Sequence, residues 1–248
     1  MPTVLVIAGT DSSGGAGVLR DVATLRDFGV TAACAVTAVT AQSDTSLLAL
    51  SAMDPQLVQQ QIAGALAAHP VGAIKIGMLA TAEIVRAVAA SLPTEIPVVL
   101  DPVRAASAGG ALLTPDAHAA LLRDLFPRVT LVTPNLPEIA ALLAEPTATD
   151  ATVAREQTHR LLAKGCGAVL LKGGHASGAE AIDLLLTSAG VELELAKPRV
   201  TATLRGTGCA LASAIAAHLA RGSSLEAACR EAKDYVYAAL QRRSWASY

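Results

Sequence analysis

The chain has 248 residues, a formal net charge of -2 at pH 7 and 52% hydrophobic residues, many of them alanine. Aromatics make up only 2% and no Lys/Arg block occurs, which argues against the basic, ring-bearing surface that nucleic acids require. No apolar run reaches the roughly 18 residues of a membrane-spanning helix, and the four cysteines are scattered without a C-x-x-C pair, so no zinc site is expected.

Thr3–Ala8 is apolar, lacks a basic leader and ends in Gly9-Thr10-Asp11. It reads as a first strand, not a signal peptide, and a reduced, cytoplasmic protein is the expectation. Further strands are predicted at Ala32–Val39, Ala73–Ile76, Val98–Leu100, Val129–Val132 and Ala168–Leu171. Helices are predicted at Gly15–Phe28, Pro55–Ala68, Ala82–Ser91, Pro115–Leu125, Leu136–Leu143, Ala151–Lys164, Gly208–Arg221 and Ser224–Arg242. Near-continuous apolar strands separated by amphipathic helices predict a mainly parallel sheet covered on both faces. Ala181–Thr203 reads as short strands around a Gly190 turn, an antiparallel edge. No linker divides the chain, so residues 1–248 are expected to form one α/β domain.

Ligands of such sheets gather at the carboxyl ends of the strands. Polar and glycine-rich residues fall there repeatedly: Gly9–Gly17, Gln42, Lys75 with Gly77-Met78, Asp101-Pro102, Thr133-Pro134-Asn135 and Lys172–His175. The Gly9–Gly17 loop lets backbone approach a small ligand; it is neither a Walker A loop nor G-x-G-x-x-G, and a tight turn explains it equally well. Asn135 and Glu138 have two readings, a capping box or hard oxygen donors near a magnesium ion. Asp101 on a neighbouring strand end favours the second. Lys172 reads as a phosphate-neutralising cation or a solvated rim lysine. Lys75, inside an apolar strand, needs a partner, which makes it half of a buried ion pair or a substrate contact. His175 sits in a glycine-rich loop where an idle histidine is the ordinary case.

Gly206-Thr207-Gly208-Cys209 opens an alanine-rich helix. The first N–H groups of a helix lack intrahelical partners and can hold an anion. A cysteine there is expected to be a partial thiolate and a possible base. Cys34, Cys166 and Cys229 lack such context and read as structural, and His69, His118, His159 and His218 receive no role.

Taken in order, Ala8–Gly17, Thr37–Gln42, Lys75–Leu79, Asp101-Pro102-Val103, Thr133–Glu138, Lys172–His175 and Gly206–Cys209 resemble the hydroxymethylpyrimidine/phosphomethylpyrimidine kinases of thiamine biosynthesis. These are a branch of the ribokinase superfamily, and the resemblance covers nearly the whole chain. It implies a ribokinase-like three-layer α/β/α sandwich and a homodimer that uses ATP and Mg²⁺ on a pyrimidine alcohol, then on its monophosphate. It assigns Gln42 to the aminopyrimidine edge and Gly9, Ala16, Met78 and Val103 to the ring pocket, with Asp21 nearby. It makes Cys209 the base and the Gly206–Cys209 backbone, Gly208 and Thr207 included, the cradle for the transferred phosphoryl. Asp101 and Glu138 are assigned to Mg²⁺, and Asn135 and Lys172 to the nucleotide.

The chain departs from that pattern at Ser43, Arg104, Arg205 and Leu19-Arg20, and it ends in Trp245-Ala246-Ser247-Tyr248 instead of a Gly/His/Pro-rich tail. The two arginines are expected either to recruit phosphate or to mark a changed substrate. A pyridoxal or pyridoxine kinase of the same fold, and a non-catalytic pyrimidine-binding regulatory domain, are the alternatives.

Overall fold

The computed structural model describes residues 1–43, 45–104, 110–175 and 178–245. Ala246–Tyr248 of the terminal segment fall outside them. Among the described residues, nine strands form one sheet: β1 Thr3–Asp11, β2 Thr31–Gln42, β3 Leu47–Ala52, β4 Val71–Ile76, β5 Val98–Leu100, β6 Leu131–Val132, β7 Ala168–Leu171, β8 Glu180–Thr187 and β9 Glu192–Pro198. Their order is β3-β2-β1-β4-β5-β6-β7-β8-β9. The strands from β2 to β7 are parallel, while β3 pairs antiparallel with β2, and β8 with β7 and β9. Both edges are therefore antiparallel.

Eight α-helices among the described residues cover the sheet: α1 Gly17–Asp27, α2 Pro55–Ala68, α3 Ala82–Ser91, α4 Pro115–Ala120, α5 Leu136–Leu143, α6 Ala151–Leu162, α7 Thr207–Ala220 and α8 Leu225–Arg242. The period of two in β1 shows how they divide. Leu5 and Ile7 join the core that holds Ile62 of α2, Ile84 of α3 and Ile139 of α5. Val4, Val6 and Ala8 join the core that holds Leu25 of α1, Ile215 of α7 and Ala232 of α8. The layers are thus α/β/α. The α7 face is mostly alanine, with Ala210, Ala212, Ala214, Ala216 and Ala217 at 0% exposure, so this helix lies close against the sheet.

Several elements fall on their expected bounds, including α2, α3 and α5, which Asp54, Thr81 and Asn135 cap by accepting backbone N–H bonds. Others differ. The helix expected over Pro115–Leu125 leaves α-geometry at Ala120 and continues as a π turn, Leu121–Leu125. Pro127 follows it, cannot donate to the Arg123 carbonyl, and crowds the turn behind it. The strand expected at Val129–Val132 is only Leu131–Val132. β3 was not expected at all, because Leu, Ala and Ser give it little β-propensity; its pairing with β2 supplies the order. β1 and β2 extend to Asp11 and Gln42, with a register shift between Ala8 and Thr10. Gly9 is therefore an irregular strand position, and the turn proper begins after Asp11.

Candidate active site

The carboxyl ends of β1, β4, β5, β6 and β7, together with the start of α7, surround a cavity of about 840 Å³. Of the residues that the resemblance assigns to substrate, metal, nucleotide or catalysis, all but Asp21 line it.

One half of the cavity is suited to a small ring. Gly9, Ala16, Met78 and Val103 supply short or flexible apolar walls, and Gln42 stands at the rim. The Gln42 backbone is fixed by Ser12: its N–H donates to Oγ at 2.8 Å, and the hydroxyl donates back to its carbonyl at 2.8 Å. Among the described residues its side-chain amide has no partner, which leaves a donor and an acceptor available on a residue that lines the cavity. At Gly9 the absence of a β-carbon lets the Met78 side chain lie against the strand.

The other half is charged. Lys172 donates to Asp101 Oδ1 at 3.0 Å and lies 3.5 Å from Glu138 Oε2. Burial alone would lower the Lys172 ammonium, but Asp101 and Glu138 outweigh it and hold the group above its ordinary value. Burial, and then the neighbouring Asp101, raise Glu138, while Lys172 opposes them. Both readings of Asn135 and Glu138 meet in one geometry. Glu138 Oε2 accepts the Asn135 N–H at 2.7 Å and Asn135 Oδ1 accepts the Glu138 N–H at 2.8 Å. This capping box also aims the Glu138 carboxylate at Lys172.

At the start of α7, Gly206 is the N-cap in the left-handed region, φ 74 and ψ 18, where glycine is preferred. The first helical bond runs from the Ala210 N–H to the Gly206 carbonyl at 2.8 Å. The N–H groups of Thr207, Gly208 and Cys209 precede it and can serve an anion. A β-carbon on Gly208 would stand 3.2 Å from Asp101 Oδ2 and 3.3 Å from Lys172 Nζ. Glycine there keeps a side chain from crowding Asp101 and Lys172 against the cradle.

Two expectations need correction. Cys209 is not a resting thiolate: burial, helped by Asp21 and Asp101, pushes its thiol up to about 11, against the opposing pull of Lys75 and the Gly17 N–H. The helix terminus is outweighed because the sulfur faces protein on several sides. Asp21, expected beside the ring pocket as a substrate contact, does not line the cavity. It is fully buried, accepts from Lys75 at 2.7 Å and from the Ser213 hydroxyl at 2.8 Å, and α1 turns it towards the sheet to neutralise that lysine. Lys75 is thus the buried ion pair, although it also contributes to the cavity wall. Arg205, expected either to recruit phosphate or to mark a changed substrate, pairs with Asp11 Oδ2 at 2.9 Å and donates to Ser13 Oγ at 2.7 Å.

The sequence reading also passed over an ion pair that fixes Lys172 from behind. Asp183 on β8 accepts the Gly173 N–H at 2.8 Å and pairs with Lys233 on α8 at 2.9 Å. Arg199 grips the same turn by donating to the carbonyls of Gly173, Gly174, Gly178 and Glu180. Nothing local in the sequence links these positions; only their burial in the fold reveals them.

A family profile described as phosphomethylpyrimidine kinase matches residues 11–247. The chain is 42% identical over 239 residues to the hydroxymethylpyrimidine/phosphomethylpyrimidine kinase of Escherichia coli (strain K12), covering 95% of this chain and 90% of that one. Among solved structures it is similar to phosphomethylpyrimidine kinase from Clostridium difficile 630, with a TM-score of 0.83, 31% identity and coverage of 97% and 100%. The pyridoxal kinase of Staphylococcus aureus in complex with AMP-PCP and pyridoxal superposes with a TM-score of 0.86 at 27% identity, covering 97% of this chain and 88% of that one.

Proposed function

The chain belongs to the phosphomethylpyrimidine kinase family, and from that premise we propose that it transfers the γ-phosphoryl group of ATP to the hydroxymethyl group of 4-amino-5-hydroxymethyl-2-methylpyrimidine, and to the resulting monophosphate, in thiamine biosynthesis. The observation that carries this reading is the junction of two half-sites in one cavity. An apolar slot with an unpartnered Gln42 amide opens onto a glycine cradle faced by Lys172, Asp101 and Glu138.

In this reading Gln42 pairs with the amino and ring-nitrogen edge of the pyrimidine, which offers one donor and one acceptor. Gly9, Ala16, Met78 and Val103 hold the ring by contact, and the hydroxymethyl group is directed to the start of α7. The N–H groups of Thr207, Gly208 and Cys209 receive the equatorial oxygens of the transferring phosphoryl, where charge is spread in a loose transition state. Lys172 and Asn135 serve the nucleotide phosphates. Cys209 accepts the hydroxyl proton; because its thiol lies near 11, it does so through a small thiolate population, and the cradle supplies most of the rate.

The residues fit a magnesium ion. Asp101 Oδ1 accepts from Lys172, whereas Oδ2 accepts no hydrogen bond among the described residues and lies on the Gly208 side. Two carboxylates suffice for an ion that takes most of its remaining ligands from water and phosphate. Asp101 and Glu138 would hold it, and it would neutralise charge on the phosphates.

The likeness to pyridoxal kinases gives a second reading, phosphorylation of a pyridoxal vitamer in the same slot. ATP turnover with the pyrimidine alcohol, its monophosphate and the pyridoxal vitamers separates the two. Product from the pyrimidines is expected; product from pyridoxal alone would replace the first reading, and product from none would end both. The homodimer rests on the resemblance and is tested by sedimentation.

A further inference from the structure

We infer that Arg205 is a positioning residue that ties the Asp11–Ala16 turn to the phosphate cradle, so that the half-site holding the alcohol and the half-site holding the phosphoryl group keep one fixed relation. The inference rests on the kinase reading for its activity test but on geometry for its content.

Asp11 is only 3% exposed, so its carboxylate needs compensation for lost water. Oδ1 accepts from the Ser13 N–H at 2.9 Å and the Ser13 hydroxyl at 2.8 Å. Oδ2 accepts from the Ala16 N–H at 3.0 Å and from Arg205 at 2.9 Å. Arg205 also donates to Ser13 Oγ at 2.7 Å. Its guanidinium lies flat on Gly15, whose β-carbon position is 3.1 Å from the guanidinium carbon. A planar fork can serve Asp11 and Ser13 together, which a lysine ammonium does less well.

The backbone of the same residue is held from the other side. The Trp245 indole N–H donates to the Arg205 carbonyl at 3.2 Å. Trp245 stacks on Tyr235 of α8 with centroids 6.0 Å apart and carries the Arg20 guanidinium 4.6 Å from its ring centre. Arg205 immediately precedes Gly206, the N-cap of α7, and a β-carbon on Gly206 would run into the Gly15 carbonyl. Thr10, Asp11, Ala16 and Gly17 line the cavity, and the Gly17 N–H faces the Cys209 sulfur. One side chain therefore closes a circuit from the ring pocket to the cradle. Such preorganisation removes an ordering cost that substrate binding would otherwise meet.

The test uses Arg205→Met, Arg205→Lys, Asp11→Asn and the Arg205→Met/Asp11→Asn double variant. Loss of a charge-assisted bond is expected to raise KM for the pyrimidine alcohol about tenfold in Arg205→Met, with KM for ATP changed less than about twofold. Arg205→Lys, which keeps the charge, is expected to fall between wild type and Met and guards against a folding failure. The double variant is expected to be no worse than the worse single one, because both remove the same contact. Amide hydrogen exchange of the ligand-free protein is expected to rise in residues 11–17 and 204–209 together. An unchanged KM for the alcohol, equal rises for both substrates, additive single effects, or faster exchange in only one segment would each overturn the tether. A wild-type protein inactive on every acceptor would instead overturn the kinase reading, while the exchange result still decides the tether.

Discussion

Cys209 offers a test in which sequence intuition and structure point in opposite directions. A thiol at a helix N-terminus is expected below its ordinary value, yet here burial pushes it up from 9.0 to about 11. The group is reactive only when deprotonated, so the thiolate fraction at pH 8 falls about a hundredfold for those two units. Nucleophilicity rises with pKa, with a Brønsted slope of about 0.45, which returns roughly eightfold. The net expectation is alkylation about tenfold slower than a free thiol at pH 8, growing about tenfold per pH unit up to pH 10 with no plateau. Iodoacetamide labelling of the ligand-free protein, followed by mass spectrometry of the Cys209 peptide, measures it. Turnover in wild type is expected to climb over the same range, and Cys209→Ala to lose that slope while keeping substrate affinity. An alkylation profile that levels off near neutral pH would refute the reasoning and restore the resting thiolate. A pH-independent turnover, unaltered in Cys209→Ala, would leave the backbone cradle without a cysteine base.

Two further outcomes follow from close contacts. Gly208→Ala places a methyl group between Asp101 and Lys172, so turnover is expected to fall about a hundredfold with the thermal midpoint nearly unchanged; steady-state kinetics beside calorimetry separate the two. Lys75→Met leaves the Asp21 carboxylate buried without its cation and is expected to cost about 3–5 kcal/mol in urea unfolding, whereas adding Asp21→Leu recovers much of the loss.

The parallel sheet and its site rim were legible because apolar runs and their polar ends alternate with the period of the fold. Asn135 and Glu138 were legible twice over, since the spacing that caps α5 is the spacing that presents a carboxylate to Lys172. β3 was not legible: its order comes from pairing with β2, not from its own residues. The ion-pair role of Asp21 was not legible because its partner Lys75 lies 54 positions away, and only the fold brings them together. The Cys209 thiol followed the same pattern. A helix terminus is visible in sequence, but the protein around the sulfur is not, and burial was the larger effect.

The alanine face of α7 has a consequence for how this chain can vary. Methyl groups set the distance from helix to sheet, and the same distance sets how far the cradle stands from Asp101 and Lys172. A larger side chain at Ala212 or Ala216 would lift the helix like a shim under a hinge and open the cradle at its far end. Interior positions that touch no ligand thus bear on phosphoryl transfer as well as on folding. Enlarging either alanine is expected to cost about 1–3 kcal/mol by overpacking and to slow turnover with it.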